Sequence, residues 1–545
     1  MTRAQSLLKK ANVKFSLTVA ASLLASSTFI AAILGLLRDR FLNRAFEDLP
    51  NYLDAYLAAF RIPDFMYFVL VSGALSVTFI PVFNARLSSG NKQSAWDLSS
   101  SLLNLLAIVT LIASVLIMVF AEPLIRYVVA PGLPDDVRDL AIAMMRIVAI
   151  NPFLFAISSL LASMQQAQGR FFFFTLAPVI YNLGIITGIL VFTQELTIFG
   201  TTVWEGGIMG VALGVVFGSI MQLIVSSFGM IGMKFDYRPL IFWKNKGFQQ
   251  VLGLLPARSF DQGIDYFTTL VETNVASRIG QGAISAYQFA LNLHMMPINL
   301  IGVAIATAFF PKMTERLAEG RVDLFKKELQ TVLRVIIWLA MPVAMFTFVC
   351  RGYIVALISS DGELVIATLL GILTIAILFR SVFHIASRTF YAQQDTKTPL
   401  YISIFVIALN ILLVVVFYQY TTLGVYGLAL AQSIVAATEV IVLFVIMQRR
   451  LKGLLGAMFW AGLTRMVAAT GLAYIVTYAM IYLIPFTKDD RTLFAVVAKL
   501  SIIGLVSFGS YVVFSWLLRL PEVMPIIAKL QKTIFRSYQS ADGSR

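Results

Sequence analysis

The ionisable residues of this chain sit where such residues are expensive. GLLRDRF (35–41), DAYLAAFRIPDF (54–65) and SGALSVTFIP (72–81) place Arg38, Asp39, Asp54, Arg61 and Asp64 among apolar neighbours. A second dense set, Arg258, Asp261, Asp265, Glu272 and Arg278, occupies the run 246–279, and Arg146, Arg380, His384 and Arg388 interrupt others. Charge inside a spanning segment is costly, and it is retained where it faces a cavity or pathway or meets an opposite charge. Arginines in a wet cavity suit a phosphate-bearing ligand, because the guanidinium fork donates to two phosphate oxygens at once. The plainer alternative is that these charges pair with one another or snorkel to the span ends, a reading that fits Arg38, Asp39, Asp54 and Arg278 near predicted boundaries. Arg61 and Glu272 lie deeper and point to a cavity, whereas Glu439 and Arg465, with no assigned partners, are expected in structural pairs.

Other chemistry has no visible parts. There is no Walker A sequence, HExxH or GxSxG, and the only histidines are His294 and His384, so ATP hydrolysis and metal catalysis lack machinery. The single cysteine, Cys350, excludes an intramolecular disulfide and gives no basis for a thiolate metal site. The expectation is a non-enzyme without cofactor.

The elements that position these charges are membrane helices. The chain is 59% hydrophobic and 13% charged, with mean hydropathy +0.85, where a soluble domain carries about a quarter charged residues. Apolar runs long enough to cross the hydrocarbon core recur along it, without the alternation of a β-barrel. Fourteen spans are predicted, at about 15–41, 52–87, 97–121, 136–166, 170–194, 205–231, 246–279, 283–312, 322–349, 362–393, 398–418, 423–448, 455–485 and 493–520. The net charge of +14 falls mainly in alternate loops, which sets topology rather than nucleic-acid binding and places both termini in the cytoplasm. The basic N-terminus lacks a short apolar region with a cleavage site and reads as a lead into the first helix.

The sequence also repeats. AYLAAFRIPDF…FIPVFNARLSSG (55–90) resembles AYQFALNLHMM…FFPKMTERLAEG (286–320), TTVWEGGIMGVALG (201–214) resembles TTLGVYGLALA (421–431), and LAPVIYN (176–182) parallels TPLYISIFVIALN (398–410). Three matches in one order predict an all-α polytopic protein with two six-helix lobes in parallel repeat, 1–235 and 236–452. Two additional helices (453–520) and a cytoplasmic tail (521–545) follow. Parallel repeats about the membrane normal are a carrier architecture, and the helix-interrupting Pro63, Gly73, Pro81, Pro152, Pro178, Pro256, Pro297 and Pro311 permit the bending it needs.

GLLRD, DAYLAAFRIPDF, SGALSVTFIP, APG (130–132), LAPVIYN, FYAQQDTKTP (390–399) and GLALA (427–431) together resemble the MurJ/MviN family of lipid II flippases over essentially the whole chain. The resemblance implies a bacterial cytoplasmic (inner) membrane protein that flips undecaprenyl-diphosphate-linked peptidoglycan precursor outward, driven by membrane potential or by Na+ or H+. It also implies a cationic cavity and a lipid-tail groove on helices 13 and 14. Arg38 and Asp39 match the family's essential pair, and Arg61 matches its basic position before the proline. These residues, with Arg258, are the candidate diphosphate site; Asp54, Asp64, Ser76 and Asn292 are candidate gating positions, and Glu272 and Asn410 a candidate cation site. Ala32, Tyr67, Ser72 and Asn292 stand where relatives carry Arg, Arg, Glu and Arg, and Val414 replaces the expected acid after Asn410. Two alternatives therefore stay open: another polyprenyl-diphosphate-linked glycan as cargo, or a non-transporting scaffold for cell-wall synthesis enzymes. Drug antiport predicts an arginine-poor first lobe and fits less well. Expected partners are the glycan lipid, membrane lipids and cell-wall enzymes, with a monomeric chain and no nucleic acid.

Overall fold

A computed structural model describes residues 17–72, 78–198, 201–359, 363–487, 492–525 and 527–528. Among these residues the regular structure is helical apart from one antiparallel hairpin, β1 (Leu196–Ile198) with β2 (Thr201–Trp204). Twelve described helices are long and apolar enough to cross a membrane. The predicted spans 52–87 and 246–279 are not among the twelve; both hold the charged clusters that lower their hydropathy. Length and apolarity alone therefore do not reach the expected count of fourteen.

Two compact units divide the chain, Met1–Ser285 and Ala286–Arg545. The first contains α1 (Leu17–Ala45), α2 (Pro50–Tyr67), α3 (Ile80–Ser88), α4 (Lys92–Val119), α5 (Asp135–Val148), α6 (Asn151–Ala167), α7 (Phe172–Thr187), α8 (Met209–Phe228) and α9 (Lys246–Ile279). By repeat position α9 opens the second half of the sequence, yet it packs on α2, α3 and α4 of the first unit. Helix ends follow from local chemistry. Asn91 accepts the Ser94 N–H (3.0 Å) to cap α4, and Asn245 accepts those of Gly247 (2.9 Å) and Phe248 (3.2 Å) to cap α9, satisfying donors that lack intrahelical partners. Small residues bring α7 and α8 into backbone contact: a Cβ on Gly184 would collide with Gly218, and one on Gly188 with Gly214. Such close approach replaces the hydrophobic driving force that lipid does not supply.

The unit boundary falls in the first turn of α10 (Ala283–Ile298), and the second unit continues with α11 (Ala304–Ala318), α12 (Val322–Val349), α13 (Leu364–Ala392), α14 (Lys397–Tyr420), α15 (Val425–Arg450), α16 (Ala457–Leu483) and α17 (Leu493–Leu517). Its core runs along α12, with Phe325, Leu329, Leu333 and Ile336 fully or almost fully buried. α12 also holds the last helix and the turn beyond it: Trp338 Nε1 donates to Ser515 Oγ (3.1 Å), Tyr511 donates to the Trp338 carbonyl (2.9 Å), and Arg334 pairs with Glu522.

The internal repeat is visible as repeated local geometry. Lys92–Val119 and Val322–Val349 are both 28-residue helices, their ends displaced by the same 230 positions. A π-helical turn follows α2 at Phe68–Ser72 and another follows α10 at Asn299–Val303. Gly90 (φ 77°) and Gly320 (φ 71°) end the matching short helices in the left-handed conformation glycine favours.

Candidate functional site

In the first unit, α1, α2 and α7 bring Arg38, Asp39, Arg61 and Asp64 into one polar cluster. Arg38 donates from Nε (3.0 Å) and Nη2 (2.7 Å) to Asp39 Oδ1, and from Nη1 to Asn182 Oδ1 (3.4 Å). Asp39 is buried, whereas the Arg38 side chain keeps 25% of its exposure. Tyr56 and Tyr181 lie within electrostatic reach of both Arg38 and Asp64. Arg61 acts on Asp64, three residues along the same face of α2. Aromatic side chains wall the cluster. Tyr67 hydrogen-bonds Ser159 (2.8 Å) and packs against Phe155 (5.5 Å), Phe155 meets Tyr181 (5.3 Å), and Phe68 stacks on Tyr266 (3.9 Å).

The chemistry of this arrangement is binding. Each carboxylate is balanced by an arginine, and Arg38 is oriented by Asp39 and Asn182 with N–H groups to spare. A guanidinium fixed in this way presents a preorganised edge to an anionic oxygen.

Other candidates fall in different places. Asp54 is 1% exposed, and its two oxygens accept the backbone N–H groups of Ser285 and Gly282, both at 2.7 Å. It anchors the turn before α10 and does not line an open space. Glu272 is buried in the first unit. Two and five residues further along α9, Asn274 donates to the Val128 carbonyl (2.7 Å), and Ser277 accepts the Gly132 N–H (3.2 Å). Any Cβ at Gly132 would strike the Ser277 backbone, which accounts for the glycine in APG. In the second unit Asn292 accepts a hydrogen bond from Gln288 (2.9 Å). Asn410 is buried, and among the described residues no donor reaches its Oδ1. Ser76 and the side chain of Arg258 lie outside the described residues. Glu439 has a partner after all, Arg380, at 2.8 Å. Among the described residues no group of three or more His, Cys, Asp or Glu is arranged to hold a metal.

Tyr56, Tyr181 and Asn182 were not singled out as site residues from sequence. LAPVIYN carried the available signal, since its asparagine recurs in the second half, but spacing alone does not show that α7 meets α1.

A family model described as "Lipid II flippase MurJ" matches residues 50–498. A Thermotoga maritima protein, "Probable lipid II flippase MurJ", is 28% identical over 510 residues, covering 92% of this chain and 97% of its own. "Lipid II flippase MurJ" of Burkholderia cenocepacia is 26% identical over 440 residues, 78% of this chain and 82% of that protein. Among solved structures, lipid II flippase MurJ in an inward closed conformation matches with TM-score 0.72 at 24% identity, over 90% of this chain and 98% of that one. An inward-facing MATE-family multidrug resistance transporter of the MOP superfamily matches at TM-score 0.64 and 16% identity, over 78% and 96%. Both structural likenesses bear on the fold.

Proposed function

The chain belongs to the lipid II flippase MurJ family, and from that premise we propose that it flips lipid II from the inner to the outer leaflet of the bacterial cytoplasmic membrane by alternating access. The observation that carries the reading is the Arg38–Asp39–Asn182 constellation, a preorganised guanidinium in a segment where charge is costly. Arg38 and Arg61 hold the diphosphate, and Asp39 orients Arg38. The prenyl tail fits the apolar groove of about 520 Å³ between α12, α13 and α16, lined by Met341, Phe348, Leu378, Phe379, Val467 and Tyr474. Work comes from the membrane potential acting on the anionic headgroup, about 2.3 kcal/mol per charge per 100 mV. A monovalent cation is the other driver. The protein makes and breaks no covalent bond, and both termini are cytoplasmic.

Complementation tests this reading. In a cell depleted of its own flippase, Arg38→Ala and Arg61→Ala variants expressed at wild-type level fail to support growth, while the parent does. Growth of both variants at the parental rate overturns the assignment.

A further inference from the structure

The second unit carries a cationic track that the cluster on α1, α2 and α7 does not include. Arg380, His384 and Arg388 follow one another at i, i+4 and i+8 on α13, within one face of the helix. All three are partly exposed, whereas Ser381, Val382, Ile385, Ala386, Ser387 and Thr389 around them are buried. The track covers about 12 Å of helix, at 1.5 Å per residue, from near the middle of α13 to its last turn.

Its two ends are built differently. Arg380 is held in place: Nη1 donates to the buried Glu439 carboxylate (2.8 Å), Nη2 reaches Gln432 Oε1 (3.5 Å), and 30% of the side chain remains exposed. Arg388 is poised over the Phe310 ring of α11, 5.9 Å from its centroid, and no described carboxylate pairs with it. His384 lies between them and feels both guanidinium charges. α13 is fixed here by a close crossing, since a Cβ on Gly302 would sit 2.6 Å from the Ser381 Cα and 3.1 Å from the His384 ring. That glycine belongs to the π-helical turn Asn299–Val303, a type of irregularity concentrated at functional sites. Arg388 lies near the C-terminal end of α13, its guanidinium face on the Phe310 ring and its N–H edge without a carboxylate among the described residues.

We propose that Arg388, His384 and Arg380 form a track for phosphate oxygens, with Arg388 receiving a phosphate-bearing headgroup near the cytoplasmic end and Arg380 holding it at mid-span. The assignment rests on the transport reading above for its direction, and on its own geometry for its chemistry. The phosphate can belong to a prenyl-linked diphosphate or to an anionic phospholipid headgroup.

The test uses the purified full chain in nanodiscs, with farnesyl diphosphate, inorganic pyrophosphate and phosphatidylglycerol as probes. Arg388→Gln weakens farnesyl diphosphate binding tenfold or more, and Arg388→Lys restores part of it, because one charge survives without the fork. The paired variant Arg380→Gln/Glu439→Gln, which strands no buried charge, weakens it similarly with its melting temperature preserved. Pyrophosphate competing with farnesyl diphosphate identifies the diphosphate as the bound group. Loss of phosphatidylglycerol affinity alone keeps the phosphate track and assigns it to phospholipid. Unchanged affinity for all three probes in Arg388→Gln overturns the proposal. Lipid II flipping by the parent protein is measured in parallel. A parent that does not flip while Arg388→Gln still weakens binding refutes the transport reading only, and a parent that flips with binding unaffected in Arg388→Gln refutes the track only.

Discussion

Replacing Asp54 should unlock the turn that enters α10. Both carboxylate oxygens accept backbone N–H groups, Gly282 and Ser285, at 2.7 Å, with the side chain 1% exposed. Hydrogen bonds to a charged acceptor contribute about 1.5–3 kcal/mol each, and a carboxylate at a helix N-terminus adds about 0.3–1 kcal/mol. The cost of burying that carboxylate, several kcal/mol, disappears in Asp54→Ala. The net local destabilisation is then about 2–3 kcal/mol, a 30- to 150-fold shift in the opening equilibrium at about 1.4 kcal/mol per decade. Asp54→Asn keeps one acceptor and should lose about half as much. Hydrogen exchange reads this directly: amides 282–285 lose protection by that factor in Asp54→Ala, while the middle of α4 does not change. Equal protection at 282–285 in variant and parent would refute the anchoring role.

Three further outcomes follow from the packing. Gly188→Val forces a branched side chain into the Gly214 backbone; overpacking costs about 1–3 kcal/mol or more, so folded yield falls sharply, whereas Gly509→Ala, with nothing within 4 Å of the added carbon, leaves it unchanged. Arg334→Gln strands the buried Glu522 carboxylate at about 3–5 kcal/mol. Limited proteolysis should then cut within 457–517 faster, and adding Glu522→Gln should restore resistance; equal cutting rates exclude the latch. Hydrogen bonds from the Thr398 hydroxyl and N–H, with Arg450 adding its charge, hold the Asp395 carboxyl down at about 2. Its folded pKa lies below the unfolded value of about 3.9, so its stabilisation is complete above that value and is lost as pH falls towards 2. Asp395→Asn flattens the melting temperature across that window, and an unaltered pH slope in the variant would contradict the assignment.

The sequence displayed the repeat well, because hydropathy, loop charge and helix-breaking residues are local properties. The 28-residue helices α4 and α12, the two π-helical turns and the glycines at 90 and 320 appear where the matching segments place them. Tertiary partners were less legible. Nothing in the spacing of DAYLAAFRIPDF shows that Asp54 reaches Gly282 while Asp64, ten residues on, belongs to the arginine cluster. Glu439 had no visible mate, because Arg380 lies 59 positions away on another helix. Tyr67 stands where the family resemblance implies arginine, and its hydroxyl hydrogen-bonds Ser159. That position is an aromatic wall here, and the proposed phosphate site rests on Arg38 and Arg61 without it.

The central claim is tested most directly by the accessibility of lipid II at the outer face of cells in which this protein is the sole flippase. Outward-exposed lipid II should accumulate with the parent chain and fall to the flippase-depleted background with Arg38→Ala. Exposure at the background level with the parent chain, correctly inserted and expressed, would contradict the account.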